Sequence, residues 1–260
     1  MTWALKRQII YLLILIGIVV FIGYLFARPY INQAPTCFDN KQNGVETGID
    51  CGGSCAKACT LAVNPLNVVW ARAFRVVPGR YNAVAYVQNQ NKNSAIYKIH
   101  YKFHFADKDN LYIGAREGDT FVPAGGNFAI FEPAIDVGNS VPVFTTFSFT
   151  EAPVWYQVAD ANITELQLSF SNIDLSNEDT SPIIATTIKN NSFFKIPGVK
   201  IVAIVYDKNH NAINASSTYL DSIPGKSIIP ISFTWPEAFS DKVVAKEIIP
   251  MFDIFSVKFN

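Results

Sequence analysis

Four cysteines carry the densest chemistry in this chain. Cys37, Cys51, Cys55 and Cys59 share one short stretch, and no cysteine follows Cys59. Thiols so grouped can close disulfides or ligate a metal. A four-cysteine zinc site favours shorter C-x-x-C knuckles and a reducing compartment. An even, clustered set beside an apolar run suits two disulfides made in an oxidising compartment. Four cysteines allow three pairings, all left open at this point. Between them runs Asp39 to Asp50, which invites comparison with an EF-hand loop. Asp39 falls at loop position 1, Asn43 at 5, Gly44 at 6, Thr47 at 9 and Asp50 at 12. Asp39, Asn43, Thr47 and Asp50 are therefore candidate calcium ligands. Position 3 is Lys41, a cation where an oxygen belongs, and no helix is evident on either side. The competing reading is a glycine turn held by Asn and Asp side chains. No cofactor other than calcium is expected.

The remaining reactive residues assemble no catalytic set. His100 and His104 are four apart, but they alternate with Tyr101 and Phe103 and so belong to the polar face of a strand. His210 sits in an Asn-rich turn. Glu132, Asp136, Glu151 and Asp160 show no acid–base spacing. Neither Gly52-Gly53 nor Gly125-Gly126 opens a helix as a phosphate loop would. Trp155, Tyr156, Trp235 and Phe239 offer either an aromatic platform for a sugar or peptide, or core and interdomain packing. Asn162, Asn190 and Asn214 begin glycosylation sequons. The expectation is a protein that is not an enzyme.

The element that positions everything else is Ile9 to Ala27, nineteen uncharged residues between Lys6-Arg7 and Arg28. As a helix it covers roughly 28 Å, close to the hydrocarbon thickness of a bilayer. A cleaved signal peptide would have a shorter apolar region and an A-x-A-like site. An uncleaved signal anchor is expected. The basic flank before the run outweighs Arg28, which keeps the N-terminus in the cytoplasm. Trp3 and Tyr30 suit the two interfaces. Formal net charge is zero, with 21 basic and 21 acidic residues, which argues against nucleic acid as a partner. The chain has 20 Phe, 11 Tyr and 4 Trp among many Val, Ile, Thr and Asn, a composition of strands and turns.

Beyond the cysteines the chain repeats itself. Tyr97 to Phe105 alternates apolar and polar residues and ends at Asp107-Lys-Asp-Asn110. About one hundred residues later, Gly198 to Tyr206 ends at Asp207-Lys-Asn-His-Asn211. Val84 to Asn89 precedes the first unit and Ile184 to Asn190 the second. Pro123-Ala-Gly125 and Pro224-Gly225 follow, each with another apolar strand. That period is the size of a small β-sandwich. The predicted fold is mainly β: one transmembrane helix, a small cysteine-stapled segment and two tandem immunoglobulin-like β-sandwiches. The predicted boundaries are 1–8 for a cytoplasmic tail, 9–27 for the helix and 28–60 for the stalk and cysteine segment. The sandwiches then occupy 61–172 and 173–260, with Leu166 to Phe170 as the last strand of the first.

Two resemblances attach to these residues. Cys37, Asp39, Asn43, Gly44, Glu46, Thr47, Asp50, Cys51, Gly52, Gly53 and Cys55 resemble a cysteine motif of bacterial surface proteins. Its form is C-x-D-x(3)-N-G-x-E-T-x(2)-D-C-G-G-x-C-x(2)-C; here three residues, not two, separate Cys55 from Cys59. It implies an exported, membrane-proximal or linker module. Asn89 with Phe103 to Asp107, and Asn190 with Ala203 to Asp207, are similar to FxLYD-like domains. That likeness implies extracytoplasmic immunoglobulin-like sandwiches. The expected function is a non-catalytic, membrane-anchored, extracytoplasmic binding or scaffolding protein of the cell surface. Its partner would be a protein or a surface polymer. The alternative is a structural subunit of an envelope or pilus-like assembly.

Overall fold

A computed structural model describes residues 3–31, 34–59 and 62–259. The chain divides into two units, Met1–Ser54 and Cys55–Asn260. The first unit opens with helix α1 (Trp3–Ile31). Its stretch Lys6–Arg28 has a mean hydropathy of 2.9 and no buried residue, so it is long and apolar enough to cross a membrane. The cysteine loop follows. Cys37, Cys51, Cys55 and Cys59 are all disulfide-bonded, as their clustering predicts. Gly53 is required where it stands: its φ is +59° and a Cβ there would meet the Val45 carbonyl oxygen at 1.8 Å.

Among the described residues the second unit contains thirteen strands. Those of the first sandwich are β1 (Asn67–Val77), β2 (Arg80–Asn89), β3 (Ser94–Ala106), β4 (Tyr112–Val122), β5 (Gly126–Asp136) and β6 (Phe144–Phe149), with the short β7 (Tyr156–Gln157). Helix α2 (Asp160–Glu165) leads into β8 (Leu168–Ser176), β9 (Ile183–Asn190), β10 (Ile196–Tyr206), β11 (Ala212–Ile223), β12 (Ile228–Thr234) and β13 (Ala245–Met251). The sheets run β1-β2-β5 and β4-β3-β6 in the first sandwich, and β8-β9-β12 and β11-β10-β13 in the second. All pairs are antiparallel. The second set repeats the first strand for strand, β7 apart.

Two expected boundaries move. Strand β8 spans position 172 and pairs along its length with β9, so it opens the second sandwich and does not close the first. The junction lies at α2. Likewise, the stalk does not run to residue 60. From Cys55 onward the chain joins the first sandwich: the Ala58 N–H donates to the Trp155 carbonyl at 3.0 Å, and Lys57 bridges Tyr156.

The strand patterns explain how the sandwiches meet. From Lys98 to Phe105 strand β3 alternates, so one face is buried and the other wet, while Tyr97, expected on the apolar face, is exposed beyond a register shift between Ile96 and Ile99. Strands β2 and β10 read as near-continuous apolar runs, which means both faces are covered. In β2, Ala83, Ala85 and Val87 face the core of the first sandwich, whereas Val84 and Tyr86 face outward. In β10, Ile201, Ala203 and Val205 fill the second core, whereas Val202 and Ile204 face outward. These outward sets form a third apolar layer with Phe74, Ala129, Phe131, Ala212, Ala215 and Ile249. Sheet β1-β2-β5 thus packs on sheet β11-β10-β13, and the four sheets stack in one series. The outermost faces are polar. Lys98 and His100 pair with Asp119, and Lys102 with Glu117, on β3 and β4; Ser171 and Thr187 bond across β8 and β9.

Candidate functional site

A seam between the sandwiches gathers the most varied chemistry. It forms where edge strand β1 passes β11, because the apolar layer stops short of the sheet margins. One cavity of about 330 Å³ is lined by Ala73, Phe74, Arg75, Val76, Asn214 and Trp235, among others. A second, of about 410 Å³, shares Ala73, Phe74 and Ile213 and adds Arg72, Thr145, Asp207, Asn211 and Asp241. Strand β1 is paired on one side only, with β2. Its free side therefore borders both cavities. Polar bonds cross the seam within the cavity walls. Arg72 donates to the Ala212 carbonyl at 2.9 Å, and Arg75 pairs with Glu237 at 3.3 Å.

Deeper in, Glu247 joins the sandwiches. Tyr86 of β2 donates to Glu247 Oε1 at 2.8 Å, and Tyr206 of β10 donates to Oε2 at 2.6 Å. Burial, then the Glu247 carboxylate, pushes the Tyr86 phenol up to about 12. The same two causes raise Tyr206. Trp70 stacks on Tyr86 with ring centroids 5.4 Å apart. Lys200 is half-buried at the same joint. It donates to the Phe131 carbonyl at 2.6 Å, and burial lowers its pKa.

The residues singled out from sequence are dispersed. In the cysteine loop, the Asp50 carboxylate accepts from the backbone N–H groups of Asp39 and Asn40. Asp39 accepts from the Lys41 N–H and the Asn43 side-chain amide. The Asn43 bond comes first in holding the Asp39 carboxyl below its ordinary range. Of the four calcium candidates, Asp39 and Asp50 carry carboxylates, and both are engaged with N–H donors, the arrangement of a turn held by its own Asx side chains. Thr47 contributes its N–H to the Cys51 carbonyl. His100 and His104 lie on the polar face of β3, as the alternation predicts, and His104 packs beside Tyr112. Trp155 is core. Trp235 is also buried, lies against Phe239 at 5.1 Å and edges the smaller cavity.

Three buried polar groups escape the sequence reading. Asn89 and Asn190 are almost fully buried at matching ends of the two sandwiches. The Asn89 amide donates to the Ser94 and Pro123 carbonyls; that of Asn190 donates to those of Phe194, Ile223 and Pro224. Each latches three strand ends. Their repeat at the same place in both units was the available signal. Asn190 therefore cannot serve as a glycosylation site. Glu132 is the third. It binds the Tyr101 hydroxyl and accepts from Arg116 Nε at 2.7 Å, in space that Gly118 leaves open. Burial, then Glu132, raises the Tyr101 phenol.

No protein-family model and no curated protein matches the chain. Among solved structures, red sea bream transglutaminase is similar over 74% of this chain and 29% of its own, at 12% identity and a TM-score of 0.25. A Bacteroides uniformis beta-glucuronidase is similar over 63% of this chain and 23% of its own, at 11% identity and a TM-score of 0.22. The chain spans less than a third of the length of either protein.

Proposed function

We propose that this is a non-catalytic, single-pass membrane protein whose two sandwiches stand outside the cytoplasm and bind a partner protein. The N-terminus is cytoplasmic because Lys6 and Arg7 outweigh Arg28 across the apolar helix. Four disulfide-bonded cysteines belong to an oxidising compartment, which supports the same orientation. The FxLYD-like likeness of the two repeats points the same way.

One observation carries the binding role: an unpaired strand edge lines a cavity that also holds charges of both signs and an indole. A sheet edge offers backbone donors and acceptors to an extended peptide, and flanking pockets select its side chains. Arg75 and Glu237 would fix the peptide's polar groups, and Trp235 its apolar ones. The alternative, a polymerising structural subunit, would need outer faces able to continue the stack. Lys102 and His104 stand on β3 where Val202 and Ile204 stand on β10, so those faces weigh against it.

The test is site-specific photocrosslinking of the full chain in its membrane. A benzoylphenylalanine at Val76, beside the edge, should give one discrete adduct, and the same group at Lys102 should give none. Equal capture at both positions, or none at Val76, would count against the seam.

A further inference from the structure

We propose that the end of the sandwich unit bearing Phe193 rests on an anionic bilayer surface, with Phe193 inserted among the headgroups. The inference depends on the reading of 9–27 as an anchor. Both Asn latches lie at this end of the stack, and so does the point where the chain enters the unit. Lys57 and Ala58 pair with β7 beside Trp155. The C-terminal turn comes to the same end: Phe255 packs on Tyr97 of β3 and on Tyr156 of β7.

Phe193 projects from the β9–β10 turn with 82% of its surface exposed. Its neighbour Phe194 turns inward onto Phe259, with centroids 5.1 Å apart. The matching turn of the first sandwich reads Gln90-Asn-Lys-Asn93 and carries no aromatic residue. Phe193 stands between two cavities, of about 600 and 350 Å³. Lysines surround it. Lys226 Nζ lies 4.0 Å from the ring centre, Lys195 and Lys258 line the larger cavity, and Lys57 and Lys92 are exposed at the same end. Glu165 is the acidic group on the smaller cavity. The turns of Asp107, Asp207 and Asp241 each pair those acids with a lysine, Lys108, Lys208 or Lys242, so the charge that bears on the bilayer is the local lysine set around Phe193. An aromatic ring ringed by lysine stems is the chemistry of an interfacial anchor: the ring enters the headgroup layer while the ammonium groups reach lipid phosphates.

The experiment uses the full chain with Phe193→Trp, in vesicles of phosphatidylcholine and phosphatidylglycerol with brominated acyl chains. Trp3, on the apolar helix, is the internal reference. In the parent chain, bromine should quench Trp3 alone, since Trp70, Trp155 and Trp235 lie in the sandwiches. In the variant it should also quench the added tryptophan, and Lys195→Glu with Lys226→Glu should abolish that increment without altering the Trp3 signal. Quenching of Trp3 without the added residue overturns the proposal and leaves the anchor intact. Failure to quench Trp3 overturns both. An increment lost on diluting protein into excess lipid would mean contact with a second copy, and also overturns it.

Discussion

At the scale of single residues, order here comes from side chains that satisfy backbone groups. Asn190 accepts from Ser192 and donates to three carbonyls in a site closed to water. Removing it leaves several buried groups unpaired at once, each costing about 1–3 kcal/mol. Asn190→Ala should lower stability by about 3 kcal/mol in denaturant melts, and Asn89→Ala by a similar amount. Asp50 plays a comparable part in the cysteine loop. Its carboxylate gathers two N–H groups from the far side of the turn. Asp50→Ala should therefore loosen the loop, read as faster reduction of its disulfides, and added calcium or EDTA should leave that rate unchanged in the parent. The cysteines were legible from sequence because clustering is local. The latches were legible only as a repeated position and not as buried groups, since asparagine in a turn looks the same whether its amide faces solvent or carbonyls.

At the scale of elements, the two kinds of strand decide what each sheet can touch. An alternating strand such as β3 has one partner layer; a doubly apolar strand such as β10 has two. Val202 is fully buried between sheets. Val202→Lys would bury an ammonium in that apolar layer, at a cost of about 3 kcal/mol or more. The expected readout is a single calorimetric transition in the parent and two in the variant, because the sandwiches would melt separately. The repeat itself was legible: its hairpins and Asx turns are encoded within a few residues of one another. Asp107 and Asp207 each accept from N–H groups two and four residues on, and Asn110 and His210 each take a left-handed φ. The place of β8 was not legible, since its alternation fits an edge of either sandwich. The docking of the sandwiches was written in the unbroken apolar runs of β2 and β10, but a run gives no address for the surface that covers it.

At the scale of the molecule, the joint responds to alkali. Tyr86 and Tyr206 are neutral in the folded state over a wider range than in the unfolded chain, where a phenol titrates near 10. Their contribution is complete below that pH and is lost as the pH climbs toward the folded value, about 12 for Tyr86. Lys200, whose pKa burial lowers, acts in the opposite sense as it sheds its proton. The urea midpoint should fall between pH 10 and 12, and less steeply in Tyr86→Phe with Tyr206→Phe. The joint has one more consequence. Unlike faces meet, so no two-fold axis relates the halves. Such a heterologous operator does not close; repeated, it would generate an open fibre. The outer faces of these two sandwiches are charged or hydroxylic and do not offer such a joint. Exchanging Lys102 and His104 for the valine and isoleucine of their counterparts would make one outer face apolar, and the hydroxylic β8-β9 face opposite it would have to change as well before the number of layers followed concentration.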